Sequence, residues 1–334
     1  TVTNVDQSFF NLLPRLMFRK KFNSSNNLWI FYRARVNFPS VTQLQDVVNL
    51  SDPLRVSMGN SLLKQAYTNF ISTRYSFANS KSGKSFFANL FAQTTSDYIS
   101  NATYLLNADS TLHNNIVLKA GSQLVKPVNL DGYKNIRTMF TYTFPVKFIK
   151  SNLSINTGAG YSKMPSLTNN LPVTTNNYTY NAGVSIASNI SEYVDFNVSY
   201  SANFNNATTK SAVIASKNNF VNQTTGLQLN LLNKKGWFIQ NDVSNQSYTG
   251  LSTGLNQSFW LWNAGIGKKF LKNNAAELKL TVFDLLKQNQ SITRTVSANY
   301  IEDARYNVLE QYFMLTFTYN LKNFGKGKSK DSGD

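Results

Sequence analysis

The chain has 334 residues and is strongly basic, with 33 Lys and Arg against 16 Asp and Glu, yet only 15% of it is charged and it contains no cysteine. Without thiols there is neither a disulfide framework nor a thiolate metal site. No run of about eighteen apolar residues exists that could form a transmembrane helix, and a mean hydropathy of −0.29 would make a helix-based scale class the chain as soluble. Any membrane signal must lie in alternation instead. Nucleic acid is excluded as a partner, because the positive charge is spread over many short segments and forms no single stripe with interleaved stacking aromatics.

The amino end, Thr1-Val2-Thr3-Asn4, carries neither an initiator Met nor a positive region followed by an apolar core, so any secretory signal has been removed or lies upstream. Beyond it, apolar and polar residues alternate with the period of a strand. In Tyr193 to Phe204, for example, Val194, Phe196, Val198, Tyr200, Ala202 and Phe204 interleave with Asp195, Asn197, Ser199, Ser201 and Asn203. Alternation between turn signals predicts strands near 10–22, 27–37, 62–78, 84–101, 132–149, 152–164, 176–188, 192–205, 218–233, 235–248, 257–271, 275–286 and 308–322. A soluble sandwich has the same period but strands of about five or six residues, whereas these run to about ten or more, the length that crosses a bilayer at a tilt. Abundant Asn, Ser and Thr suit a wet lumen, and 13% aromatics suit interfacial girdles. The fold class read from these patterns is all-β, a transmembrane antiparallel up-and-down β-barrel.

Short turns (Asn23–Asn26, Ser80–Gly83, Lys150–Ser151, Ser188–Ser191, Lys234–Lys235, Lys272–Asn274) alternate with long polar loops (38–61, 102–131, 165–175, 206–217, 249–256, 287–307). Outer-membrane barrels pair short periplasmic turns with long outer loops in this way. A barrel with both ends in the periplasm needs an even number of strands, so an odd count predicts at least one strand before Thr1. Residues 1–324 read as one barrel domain, with strands and an amino-terminal domain lying upstream, and 325–334 as a basic flexible tail. Sixteen of the 33 Lys and Arg gather at the short-turn side, among them Lys20, Lys150, Lys234 and Lys268. They serve solubility and lipid headgroups, or a periplasmic partner of negative charge.

No catalytic constellation is present, so the chain is expected not to be an enzyme, and no cofactor or metal is expected. His113 reads as a solvated loop residue, and the adjacent acids Glu302 and Asp303 as a solvated pair or, less simply, a hard-cation site. More informative is the second face of the early strands. If Leu28, Ile30, Tyr32, Ala34 and Val36 face lipid, then Arg33 and Arg35 point inward, and by the same rule so do Arg15, Arg74 and Arg137. Such a basic wall offers forks for an anionic solute, or pairs with acids of a plug or with inward acids such as Asp195. Trp237, Trp260 and Trp262 read as an interfacial girdle. The last strand presents Phe313, Leu315, Phe317, Tyr319 and Leu321 as one apolar, lipid-directed face.

Three stretches resemble the carboxy-terminal part of a TonB-dependent receptor-like outer-membrane β-barrel protein. Gln43-Leu44 followed by Asp52 to Lys64, with Gly59-Asn60 at its centre, is similar to that family's apolar pair, Gly-Asn-Pro and Leu-Lys-Pro-Glu pattern. Leu280 to Asn289 resembles its penultimate strand and last outer loop, and Tyr312 to Leu321 its assembly strand. Ser61, Gln65 and Ala66 depart from the pattern, standing where Pro, Pro and Glu are common. The resemblance implies a barrel of about twenty-two strands around a plug, in the cell outer membrane of a Gram-negative cell. It also implies contact with outer-membrane lipid and lipopolysaccharide, and coupling to TonB through a missing amino-terminal region. Two functions follow as expectations. One is energy-coupled uptake of a nutrient such as a siderophore, glycan or peptide, with a possible surface lipoprotein or other envelope proteins as partners. The other is a non-transporting structural subunit of a multi-protein outer-membrane assembly, in secretion or barrel insertion.

Overall fold

The computed structural model describes residues 10–112, 115–188, 190–191, 193–211, 215–252, 254–297 and 301–320. His113, Leu321 and the tail from residue 325 therefore lie outside the described residues. In chain order the strands are β1 (Arg15–Lys21), β2 (Asn26–Asn37), β3 (Val48–Asn49), β4 (Arg55–Met58), β5 (Ala66–Asn79), β6 (Lys84–Ser96) and β7 (Tyr98–Leu105). Then follow β8 (Ser110–Thr111), β9 (Val117–Leu118), β10 (Gln123–Leu130), β11 (Tyr133–Val146), β12 (Ser151–Thr168), β13 (Leu171–Ser188) and β14 (Val194–Lys210). The last are β15 (Ala215–Leu232), β16 (Trp237–Thr249), β17 (Gln257–Phe270), β18 (Ala276–Phe283), β19 (Ser291–Val296), β20 (Ile301–Tyr306) and β21 (Tyr312–Tyr319). Thirteen of them (β1, β2, β5, β6, β11 to β18, β21) form one antiparallel meander, each paired with the next. These are the thirteen expected from alternation.

Asparagines organise the short turns. Asn23 Oδ1 accepts from the backbone N–H of Ser25 and Asn26, Asn79 Oδ1 from Lys81 and Ser82, and Asn233 Oδ1 from Lys235 and Trp237, all within 2.8–3.1 Å. Each side chain thus closes a turn that the backbone alone would leave unpaired. Gly236 sits at φ +83°, and a Cβ there would meet the Lys269 carbonyl oxygen at 2.3 Å.

At the opposite end the structure corrects two expected loops. Segment 165–175 is the tip of a long hairpin: Thr168 pairs with Leu171, and Asn169 and Asn170 hold φ 48° and 64° between them. Two successive positive-φ residues are what a two-residue hairpin turn demands, and Asn tolerates them. Likewise β14 and β15 extend through most of 206–217, with Lys210 opposite Ala215. The sequence reading ended these strands early because Thr and Asn dominate there, which is polarity above a membrane and not loop character.

Register carries one face assignment through the whole meander, since directly paired residues share a face. Tyr32 opposes Ile71, Ile71 opposes Ala92, Ala92 opposes Ile136 and Ile136 opposes Tyr161. Further along, Phe196 opposes Leu229, Ile239 opposes Ile266, Ile266 opposes Leu280 and Leu280 opposes Leu315. The other face is largely amide, hydroxyl and glycine from β12 onward, and carries arginines and aromatic rings on β1 to β11. Gly158, Gly160, Gly183, Gly226, Gly265 and Gly267 all lie on it, and a Cβ at Gly160 would come within 2.4 Å of Thr179 Oγ1. Small residues relieve crowding on this face.

The best-buried core lies at the long-loop end, outside the wall. The short helix α1 (Val41–Leu44), β3 and β4 form one piece, and the β7–β10 hairpin a second; β4 adds parallel to β10 and the tip of β12 to β7. Val56, Leu63, Ala102, Leu118 and Val125 are buried between them. β8 pairs with β9, and β19 with β20, as separate small hairpins.

Candidate functional site

Arg15, Arg33, Arg35, Arg74 and Arg137 share the polar face, as register alone dictates: Arg15 opposes Arg33, Arg33 opposes Phe70, Arg74 opposes Trp29, and Arg137 opposes Phe91. Between them runs a ladder of rings. Trp29 stacks on Phe31 with centroids 5.4 Å apart and planes 4° apart, Phe31 meets Phe70 at 5.5 Å, and Phe70 meets Phe91 at 5.9 Å. Guanidinium groups cover the rings: Arg15 lies 5.2 Å from the Phe31 centroid, Arg33 5.2 Å from Phe70, Arg137 5.1 Å from Phe91, and Arg74 5.4 Å from Phe87. A ring face holds a guanidinium by its quadrupole while leaving the in-plane N–H fork free.

Among the described residues none of the five arginines is in an ion pair, and the Nε of Arg33 is a buried donor with no hydrogen-bond partner. Such a donor is costly unless something accepts from it. Asp195 does not serve, contrary to one sequence expectation. It lies on β14, accepts from Ser188 Oγ and Asn230 Nδ2, and is separated from β11 by two intervening strands. The wall is polarised as a result. On the polar face strands β1 to β11 carry positive charge alone among the described residues, with Arg19 and Lys21 joining the five, whereas β14 to β18 are mixed, with Asp195, Asp242 and Glu277 beside Lys269 and Lys279.

Trp237, Trp260 and Trp262 fall on the apolar face but at two levels. Trp237 is opposite Lys268 at the short-turn end, with Lys268 Nζ 5.2 Å from its ring, and Trp260 is near the other end of β17. Phe313, Leu315, Phe317 and Tyr319 lie on the same face and are exposed. Twelve of the sixteen short-turn bases are described, and they sit at strand ends or in turns there.

Two of the motifs turn out to latch loops. Gly59 packs so tightly that a Cβ would stand 2.0 Å from the Gln45 carbonyl oxygen, and Asn60 donates its N–H to Gln43 O and its Nδ2 to Pro127 O at 2.9 Å. Loop 38–65 is thereby fastened to the β7–β10 hairpin. Asp284, buried, accepts from the N–H of Gln288 and Asn289 at 2.9 and 3.0 Å and so turns the chain out of β18.

Glu302 and Asp303 cannot chelate one cation together, because neighbours in β20 point to opposite faces. Asp303 is instead gripped by Arg294 through two hydrogen bonds and by Ser252 N and Oγ, while Arg294 Nη1 reaches the Gly250 carbonyl. The Arg294 guanidinium holds the Asp303 carboxyl well below the usual carboxylate range, with Ser252 adding to the effect. Sequence reading missed this clamp and the ring ladder. The ladder had a signal, namely Trp29, Phe31, Phe70, Phe87 and Phe91 standing in the polar phase of their strands.

An outer membrane protein beta-barrel family model matches residues 1–236 and, again, 174–319. The chain belongs to that family. It is a multi-pass outer-membrane β-barrel chain. No curated protein matches the sequence. Among solved structures, the siderophore receptor PiuA from Acinetobacter baumannii aligns over 84% of this chain and 47% of its own, at 10% identity and a TM-score of 0.50. The ferric yersiniabactin uptake receptor FyuA from Yersinia pestis aligns over 92% and 50%, at 10% identity and 0.47. A Pseudomonas aeruginosa FadL homologue aligns over 93% and 78%, at 10% identity and 0.39. The chain therefore spans about half the length of the two receptors, and the likeness to PiuA is one of fold.

Proposed function

We propose that the chain is part of the wall of an energy-coupled nutrient importer, with its apolar face against lipid and its polar face lining the lumen. The arginine ladder is then the site for an anionic solute. The observation that carries this reading is a set of five arginines on one face, four held edge-free on rings, with no acid among the described residues in an ion pair with any of them and one buried donor unsatisfied. Carboxylate and phosphate are the groups whose paired oxygens fit such forks. The likeness to PiuA, described as a siderophore receptor, supports import. Drive would come from TonB acting on a plug encoded outside these residues, and a surface lipoprotein would cover the outer loops. Trp260 and Trp237 stand about 20 Å apart along the membrane normal, given eight residues at about 3.4 Å and a tilt near 40°. That is close to the height of the apolar band, so Trp237 and Trp260 mark its two edges, with Trp262 about 5 Å inside the upper one.

Replacing Arg33, Arg35 and Arg74 together with Gln is expected to lower uptake about tenfold or more at unchanged barrel abundance, since charge-assisted hydrogen bonds contribute roughly 1.5–3 kcal/mol each. Unchanged uptake would return the arginines to pairing with acids of the plug. Recovery of the native protein in fixed ratio with several envelope proteins, without a plug, would favour a structural subunit instead.

A further inference from the structure

Toward the short-turn end of β2 the polar face opens into a cleft of about 430 Å³, lined by Arg19, Asn27, Leu28, Trp29, Arg74 and Ser76. Register builds it from two rungs. On one, Arg19 is directly opposite Trp29 and Trp29 directly opposite Arg74; on the next, nearer the turn, Lys21 is opposite Asn27 and Asn27 opposite Ser76. Rings hold Arg74, whose guanidinium lies 6.0 Å from the Trp29 centroid and 5.4 Å from that of Phe87. Among the described residues neither arginine nor Lys21 is in an ion pair.

The cleft is separate from the upper arginines. Arg33, whose Nε lacks an acceptor, is four residues further along β2 than Trp29, roughly 14 Å at about 3.4 Å per residue. No single carboxyl or phosphoryl group touches both places. The cleft also discriminates between anions. Arg19 and Arg74 are two strand spacings apart, roughly 10 Å between their backbones, with the indole between them, so their side chains can converge on one group from both sides. A carboxylate has two oxygens, which a single guanidinium fork takes up. A phosphate monoester has three non-bridging oxygens and close to two charges at neutral pH, and so serves two forks at once.

We infer that Arg19 and Arg74 bind the phosphoryl group of a phosphate monoester at the short-turn end of the polar face. Lys21 adds a third positive charge beside it. A planar or apolar remainder of the ligand lies on the Trp29 ring, and Asn27 and Ser76 offer hydrogen bonds to its hydroxyls or amides. A solute that has passed Arg33 meets this cleft next on its way to the short-turn side. The inference rests on the importer reading of the polar face and deepens it by naming the anion.

The test is fluorescence titration of the full-length protein in mild detergent with 4-nitrophenyl phosphate, 4-nitrobenzoate or 4-nitrobenzyl alcohol, because a nitro-bearing ring quenches an indole it stacks on. The signal is the part of the quenching that W29F removes. The phosphate is expected to bind at least about tenfold more tightly than the benzoate, and the alcohol more weakly than either. R19Q is expected to abolish the margin of phosphate over benzoate, while R15Q/R33Q, at the upper arginines, keeps it; heat-modifiable mobility on gels checks that each variant is folded. Equal affinity for phosphate and benzoate, quenching that W29F leaves untouched, an R19Q variant that behaves as wild type, or loss of the margin in R15Q/R33Q overturns the site. Uptake separates this failure from that of the importer reading. Normal import by R33Q/R35Q/R74Q with a successful titration withdraws import and keeps the phosphate site, whereas lowered import with a failed titration does the reverse.

Discussion

A single residue step on β21 changes the surroundings completely. Leu315 is on the apolar face opposite Leu280, while Thr316 is on the polar face opposite Lys279. Leu315→Arg is therefore expected to cost about 1–2 kcal/mol and to lower assembly, as a charge on the lipid-directed face one short step above the Trp237 level does. Thr316→Arg meets only the repulsion of Lys279, about 1 kcal/mol or less, and barrel yield in the membrane reads the difference. Another residue-scale test lies in the outer loops, where the Arg294 and Asp303 side chains are almost wholly buried, at 5% and 2% exposure. A carboxyl whose folded pKa is depressed stabilises the fold above its ordinary pKa, and that contribution is lost as pH falls through the folded value. The clamp thus persists through neutral and mildly acidic pH and yields only in strong acid. Arg294→Gln strands the carboxylate, costs about 3–5 kcal/mol locally, and should make the β19–β20 hairpin open at a higher pH, seen as faster proteolysis there.

Elements in this protein are of two kinds, and they respond differently to substitution. The wall strands depend on ladder hydrogen bonds and a solvated or lipid-covered face, whereas the segments 38–65 and 97–132 depend on a small buried core of Val56, Leu63, Ala102, Leu118 and Val125. Gly59→Ala puts a methyl group 2.0 Å from the Gln45 carbonyl oxygen, an overlap the helix and β4 can relieve only by separating. The expected outcome is rapid cleavage within 41–62 by added protease with the wall strands still protected. Protection equal to wild type would mean that the loop is latched by other contacts. The same division explains why the motif around Gly59-Asn60 was legible as a motif while its work was not. The Asn60 partner, Pro127, lies 67 residues away, and no local pattern announces such a pairing.

For the molecule as a whole, what matters is that one parity runs unbroken from β1 to β21, so that a solvent preference set strand by strand becomes two continuous surfaces. The apolar surface carries tryptophans at two levels and, toward its long-loop end, Lys134 opposite Lys163; the polar one carries a basic sector on β1 to β11 and a mixed sector of acids and lysines on β14 to β18 among the described residues. β1 and β21, at the ends of a thirteen-strand meander, run in the same direction. Period-two alternation and turn signals by themselves determined the strand count, that Arg33 and Leu315 lie on opposite faces of the sheet, and the short-turn end, because each is a local property of a few consecutive residues. Tertiary structure alone decided that Arg33 rests on Phe70, that Asp195 is far from it, that 165–175 continues a hairpin, and that Lys134 confronts Lys163. Those depend on register between strands, and register is a relation between distant segments that neither segment encodes alone.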